Sequence, residues 1–219
     1  MTSSSTRTSP DTRPGSTARP WIGLVAGLVL LLSAVALFVQ GARPASDAGA
    51  VPLLAAPDAR ESSAATTGAA APRVVGPPRS VSIAQRDISA DVQPVAIRSG
   101  ALQVPEDGEQ VGWWQGGAMP GSAVGTVVVT GHVDTLSDGP GAFYRLETVD
   151  PGAVVDVATD AGPVRYRVEA RRAYRKSQLP QDLFTTTGRP RLALITCGGS
   201  FDEATGTYDY NVVLYAVPV

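Results

Sequence analysis

From Ser80 onward the chain is built of short β-prone runs punctuated by glycine and proline, and none of them repeats its apolar residues every 3.6 positions over a helix length. The run "SVSIAQRDISADVQPVAI" alternates apolar and polar residues, as half-buried strands do. "GTVVVTGHV" and "GAVVDVAT" are β-branched runs bounded by glycine, "VRYRVEARRAY" alternates cleanly, and "RLALITC" and "NVVLYAVPV" complete the set. Seven or eight such strands predict an all-β fold that closes, or nearly closes, into a barrel, which also removes exposed strand edges. Helix is expected only as one or two turns in "DGPGAFYRLETV" and "LPQDLF". Trp113 and Trp114 in "VGWW" are expected to pack against the barrel or its end.

The first part of the chain has a different texture. Residues 1–20 are rich in Ser, Thr, Arg and Pro and read as a disordered cytoplasmic tail. Trp21 to Val39, "WIGLVAGLVLLLSAVALFV", carries no charge, and as a helix it would span roughly 28 Å, close to the hydrocarbon core of a bilayer. Arg7, Arg13 and Arg19 precede it against one acid, Asp11, which predicts a cytoplasmic N-terminus and everything after Gln40 outside the cell. A cleaved signal peptide has an apolar core of about 7–15 residues. The longer run favours a transmembrane anchor over residues 21–39, although "GARPASDA" offers small residues for cleavage. Residues 40–79 are rich in Pro, Ala, Gly and Ser and read as a disordered spacer, because so little apolar surface does not offset the entropy of ordering. Residues 80–219 form the expected folded domain.

A formal net charge of −2 gives no basic footprint for nucleic acid. An exported domain commonly uses cysteines in pairs, yet this chain has one, Cys197, so no intramolecular disulfide can form. The lone thiol is either an inert core residue or a reactive group. Histidine also occurs once, as His132.

Both residues follow an apolar run: His132 in "VVVTGHVDT" and Cys197 in "LALITCGG". Loops and ends held by rigid strands are where catalytic groups tend to lie. A thiol is a good nucleophile only as the thiolate, and a neighbouring imidazole can take its proton and later protonate a leaving amine. Two soft ligands fall short of the three or four that zinc takes, so neither metal nor cofactor is expected.

"TGHVDT" together with "LITCGG…Y…NVVLYA" resembles the sortase family, membrane-anchored cysteine transpeptidases of Gram-positive bacteria. Gly131-His132 matches the family's histidine motif and Thr196-Cys197 its cysteine motif. "HVDT…GPGAFYRLETVDPG" is most similar to the actinobacterial class F, with class E the near alternative. The resemblance spans about residues 80–219 and implies a closed eight-stranded sortase-type β-barrel. It further implies cleavage of an LPxTG-like sorting signal through a Cys197 thioacyl intermediate. Transfer to an amine of the cell-wall peptidoglycan precursor would follow, with His132 as general acid and base.

One family feature is missing. Sortases usually carry an arginine at the start of the last strand, and no Arg, Lys or His follows Cys197 here. Asn211 stands at the matching place, where an amide can donate to a developing oxyanion or simply begin a strand. Arg145 and Arg191 are alternative cations, each read first as a solvated surface residue. The resemblance gives Thr196 as a residue that holds the nucleophile or supplies an oxyanion donor. Gly198 and Gly199 would let the backbone approach a peptide closely, and Tyr210 would line the groove. These four are the substrate-binding candidates, with strand packing or turn chemistry the alternative for each and packing the favoured reading for Tyr210. Tyr208 is read with Tyr210 as a groove or packing residue, and Asp134 either orients His132 or forms a turn.

A second reading follows from the missing arginine: a catalytically weak sortase-like barrel that serves as a peptide-binding module. An L,D-transpeptidase is disfavoured, because "ITCGG" lacks the His-Gly-Cys run ahead of an arginine that marks such enzymes.

Overall fold

A computed structural model describes residues 47–54 and 76–219. The expected cytoplasmic tail and membrane anchor lie outside these residues, and no helix among the described residues is long and apolar enough to cross a membrane.

Eight strands form the barrel: β1 (Pro78–Ile83), β2 (Ile88–Val95), β3 (Val111–Trp114), β4 (Thr126–Gly131), β5 (Val154–Thr159), β6 (Gly162–Arg175), β7 (Arg191–Asp202) and β8 (Thr207–Pro218). Their order around the barrel is β6-β5-β1-β2-β3-β4-β7-β8, and β8 pairs back onto β6, which closes it. The all-β closed barrel of the sequence reading is therefore the fold. Two neighbouring pairs run parallel, β2–β3 and β4–β7; the others are antiparallel. The helical stretches are single 3-10 turns, including Leu146–Thr148, Lys176–Gln178 and Gln181–Phe184.

Alternation along each strand divides the apolar residues between two cores. Val127, Val129, Leu192, Leu194, Leu214 and Ala216 point into the barrel with Trp113 and Phe143. Their neighbours Val128, Ala193, Ile195, Val213 and Tyr215 point outward yet are also buried. The connection from β6 to β7 covers them, placing Leu183 and Phe184 on this outer face, where Phe184 meets Trp114 edge-on at 5.4 Å between centroids. Sheet faces covered on both sides explain why "GTVVVTG" and "RLALIT" read as continuous apolar runs rather than alternating ones.

Two sequence expectations need correction. Within the stretch read as a spacer, Ala48–Gly49 pairs with Arg171 and Ala170 of β6, and Val51 packs on the outer core. Hydrogen bonds from the Arg172 guanidinium to the carbonyls of Ala48 and Gly49, at 2.7 and 2.6 Å, hold this segment against the barrel. Composition missed it because the backbone, not apolar side chains, makes most of the attachment. Arg191, read as a surface residue, is 2% exposed. Its guanidinium donates to Thr126 Oγ1 at 3.0 Å and to the Asp182 carbonyl at 2.7 Å, and lies 5.3 Å above the Tyr215 ring.

Candidate active site

The parallel pairing of β4 with β7 sets the geometry. Thr130 lies level with Ile195, so continuing the register brings Gly131 level with Thr196 and His132 level with Cys197. Adjacent strands are about 4.8 Å apart, which makes the two positions neighbours across the sheet. Direction follows from alternation. Cys197 continues the outward series Ala193, Ile195, and His132 continues the outward series Val128, Thr130. Thr196 points inward, 3% exposed, and its hydroxyl donates to the Gly131 carbonyl at 2.9 Å. That bond pins the residue before the thiol to the residue before the imidazole.

Past this level the side chains open into a cavity of about 390 Å³ whose walls include both Cys197 and His132. Val133, Leu136, Phe201 and Tyr208 supply apolar surface, and Lys176 and Asp134 supply charge. Cys197 is half-buried and free. The Nε2 atom of His132 lies 2.8 Å from the Pro105 carbonyl oxygen. A carbonyl only accepts, so Nε2 carries the hydrogen and Nδ1 is the basic nitrogen of the neutral ring.

Asp134 does not orient the imidazole. Its carboxylate accepts a short hydrogen bond from the Tyr208 hydroxyl, linking the loop after β4 to β8. Desolvation first, then this carboxylate, pushes the Tyr208 phenol up to about 12, so Tyr208 stays a neutral donor at any physiological pH.

Asn211 of β8 pairs directly with Cys197 of β7 on one side and Tyr174 of β6 on the other, so its side chain shares the outward face of the thiol. Among the described residues its amide has no hydrogen-bond partner, which leaves a donor available beside the sulfur. The other three candidates lie elsewhere. Gly198 pairs with Tyr210 and turns to the opposite face, where a Cβ would come within 2.8 Å of Val212 Cγ2. Gly199 has φ +86°, and a Cβ there would fall 2.6 Å from the Tyr210 ring. These glycines shape an irregularity between Gly198 and Phe201 that bends the β7–β8 hairpin. Tyr210 lies under the Arg175 guanidinium at 5.7 Å, and Tyr208 takes the place on the cavity wall.

The residue that the sequence reading missed is Lys176. It opens the connection after β6, and its ammonium donates to Thr207 Oγ1 at 2.6 Å and to Cys197 Sγ at 3.6 Å. No motif near it marks it. Only the pairing of β6 with β8, which places Arg175 opposite Tyr210, brings it beside the thiol. Neither alternative arginine reaches the cavity: Arg145 pairs with Asp87 at 3.3 Å, and Arg191 is held beneath the outer core.

A sortase-domain family model matches residues 81–219, more than half of the chain. The chain belongs to the sortase family. Among solved structures, sortase A from Corynebacterium diphtheriae aligns with a TM-score of 0.50 at 18% identity, covering 66% of this chain and 61% of that one. Sortase C1 from Streptococcus agalactiae aligns with a TM-score of 0.50 at 19% identity, covering 64% of this chain and 66% of that one. Sortase C-1 from Actinomyces oris gives the same score and identity, with coverages of 64% and 72%. At such identities the likeness is one of fold. The chain spans between about three fifths and two thirds of the length of the first two sortases. No match was found among curated proteins. The matched residues run from the middle of β1 to the end of β8, and Cys197 and His132 both fall within them.

Proposed function

We propose that this sortase-family chain is a membrane-anchored cysteine transpeptidase of the actinobacterial class F type, acting on LPxTG-like sorting signals of secreted proteins. The observation that carries the reading is that Cys197 on β7 and His132, one residue past the end of the parallel strand β4, line one cavity. In the proposed reaction His132 Nδ1 takes the thiol proton, and Cys197 Sγ bonds to the threonine carbonyl carbon of the signal. Collapse of the tetrahedral adduct breaks the Thr–Gly C–N bond, and His132 returns the proton to the departing amine. A cell-wall precursor amine then attacks the thioester carbonyl and loses its proton to His132. The sulfur leaves as a thiolate and recovers that proton. Asn211 is the neutral donor nearest the developing oxyanion.

The uncharged run over residues 21–39 supports a single-pass anchor with the catalytic domain outside the cell. Membrane fractionation, with protease digestion of intact cells, tests that topology. For the activity, the full-length protein is incubated with a quenched fluorescent LPxTG-like peptide, with and without an added amine. Cleavage and amine-dependent ligation are expected, and Cys197→Ala abolishes both; full activity in that variant overturns the proposal. A second reading, a peptide-binding module without turnover, draws on Asn211 standing where an arginine is expected. It predicts binding of the same peptide with no mass shift from a thioacyl adduct.

A further inference from the structure

We propose that Lys176 is the cation of the site, favouring the thiolate that Cys197 becomes when His132 takes its proton, and so standing in for the arginine absent from β8. The proposal rests on the cysteine-nucleophile reading of this cavity and extends it to a residue from a different element. Lysine and arginine differ as partners here. Arginine presents a planar fork, whereas lysine presents a compact charge with three donors. That count suits what the structure shows: one donor goes to Thr207 Oγ1 at 2.6 Å, one points at Cys197 Sγ at 3.6 Å, and a third remains.

Position makes the contact specific. Lys176 follows the last residue of β6, and the 3-10 turn Lys176–Gln178 begins the connection that covers the outer core. The Thr207 hydroxyl, at the first position of β8, fixes the ammonium over the sulfur. Among the residues lining the cavity Lys176 is the one lysine or arginine. The other titratable groups lining the cavity are His132 and Asp134 from the loop after β4 and Tyr208 from β8; the Tyr174 hydroxyl at the end of β6 bonds that of Tyr215 at 3.0 Å. The Glu147 carboxylate lies on the opposite face of β7, 3.7 Å from where a side chain on Gly198 would begin. Asp134 is engaged by the Tyr208 hydroxyl. A positive group beside the sulfur favours the thiolate over the thiol. Lys176 is exposed to solvent, which screens the interaction and sets its size at the low end.

The single cysteine makes the test clean, because alkylation of the full-length chain reports on Cys197 alone. The rate of iodoacetamide alkylation is measured against pH for the wild type and for Lys176→Met, Lys176→Arg and Thr207→Val. Lys176→Met is expected to move the midpoint up by about one pH unit. At neutral pH its alkylation should be roughly three- to tenfold slower. Lys176→Arg keeps the wild-type midpoint, and Thr207→Val, which frees the ammonium, moves it part of the way. High salt narrows the gap between wild type and Lys176→Met. A Lys176→Met profile that overlays the wild type, in a protein with an unchanged melting curve, overturns the proposal. Alkylation needs no peptide substrate, so a shifted profile in a chain that cleaves no sorting signal supports Lys176 and counts only against the transpeptidase reading.

Discussion

Thr196 donates its hydroxyl hydrogen to the Gly131 carbonyl across two parallel strands, and those two residues immediately precede Cys197 and His132. The bond is buried, so its loss affects both stability and alignment. Thr196→Val keeps the shape and removes the donor. We expect a loss of about 1–3 kcal/mol in denaturant unfolding. Peptide cleavage is expected to fall further than the folded fraction accounts for, while Thr196→Ser restores most of it. Equal activity per folded molecule in Thr196→Val and wild type would show that the bond serves the barrel alone.

Alkaline stability tests a different part of the barrel. The Tyr166 phenol is 1% exposed, accepts a hydrogen bond from the Gly121 N–H at 3.2 Å, and is pushed up to about 12 by burial. Its folded value lies above the unfolded one, near 10. The contribution is therefore complete below about pH 10 and is lost as pH climbs towards 12, because the unfolded phenol ionises first. Tyr208 and Tyr215 are shifted in the same direction, each first by desolvation. Unfolding free energy is expected to be level with respect to tyrosine up to about pH 9 and to fall steeply beyond it. Tyr166→Phe should reduce that alkaline loss by on the order of 2–3 kcal/mol. Parallel pH curves for the two proteins would contradict the assignment.

What the sequence made legible, and what it did not, separates by range. The strands of the barrel could be read because alternation and β-branching are local. Cys197 and His132 could be read because each is the single residue of its kind and follows an apolar run. Arg191 could not: nothing in "RPRLAL" tells that its guanidinium will stack on Tyr215 and reach Asp182 from beneath the outer core. Lys176 could not be read either, since its partners Cys197 and Thr207 lie 21 and 31 residues away. The family pattern points to an arginine after Cys197. Closure of β6 onto β8 supplied a lysine from upstream instead.

The segment Ala48–Gly49 gives a third prediction. Gly49 has φ +73°, and a Cβ there would lie 1.9 Å from the Glu169 carbonyl oxygen, a distance that no small adjustment relieves. Gly49→Ala should push the segment off β6, exposing the Arg172 guanidinium and the outer-core surface that Val51 covers. Arg172→Ala reaches the same end by removing both hydrogen bonds to the segment. Each is expected to cost about 1–3 kcal/mol. Hydrogen exchange should show faster exchange over residues 47–54 in both variants, with β7 unchanged. Protection of that segment equal to wild type in Gly49→Ala would refute the docked arrangement.

Asn211 faces the same side of the sheet as Cys197 from the directly opposed position on β8, and in the proposed reaction its amide is the donor to the oxyanion. Such a donor acts in the transition state, so its removal lowers turnover rather than binding. Asn211→Ala is expected to reduce kcat for peptide cleavage about a hundredfold, with KM nearly unchanged. Alkylation of Cys197 should respond far less, since iodoacetamide forms no oxyanion at a carbonyl. This response separates Asn211 from Lys176, whose removal is expected to move the alkylation profile itself. Asn211→Asp is the sharper control: it keeps the size, removes the donor and adds a negative charge where negative charge develops, so it should be slower than Asn211→Ala. If Asn211→Ala cleaves at the wild-type rate, the oxyanion is held by other groups and Asn211 is a strand residue only.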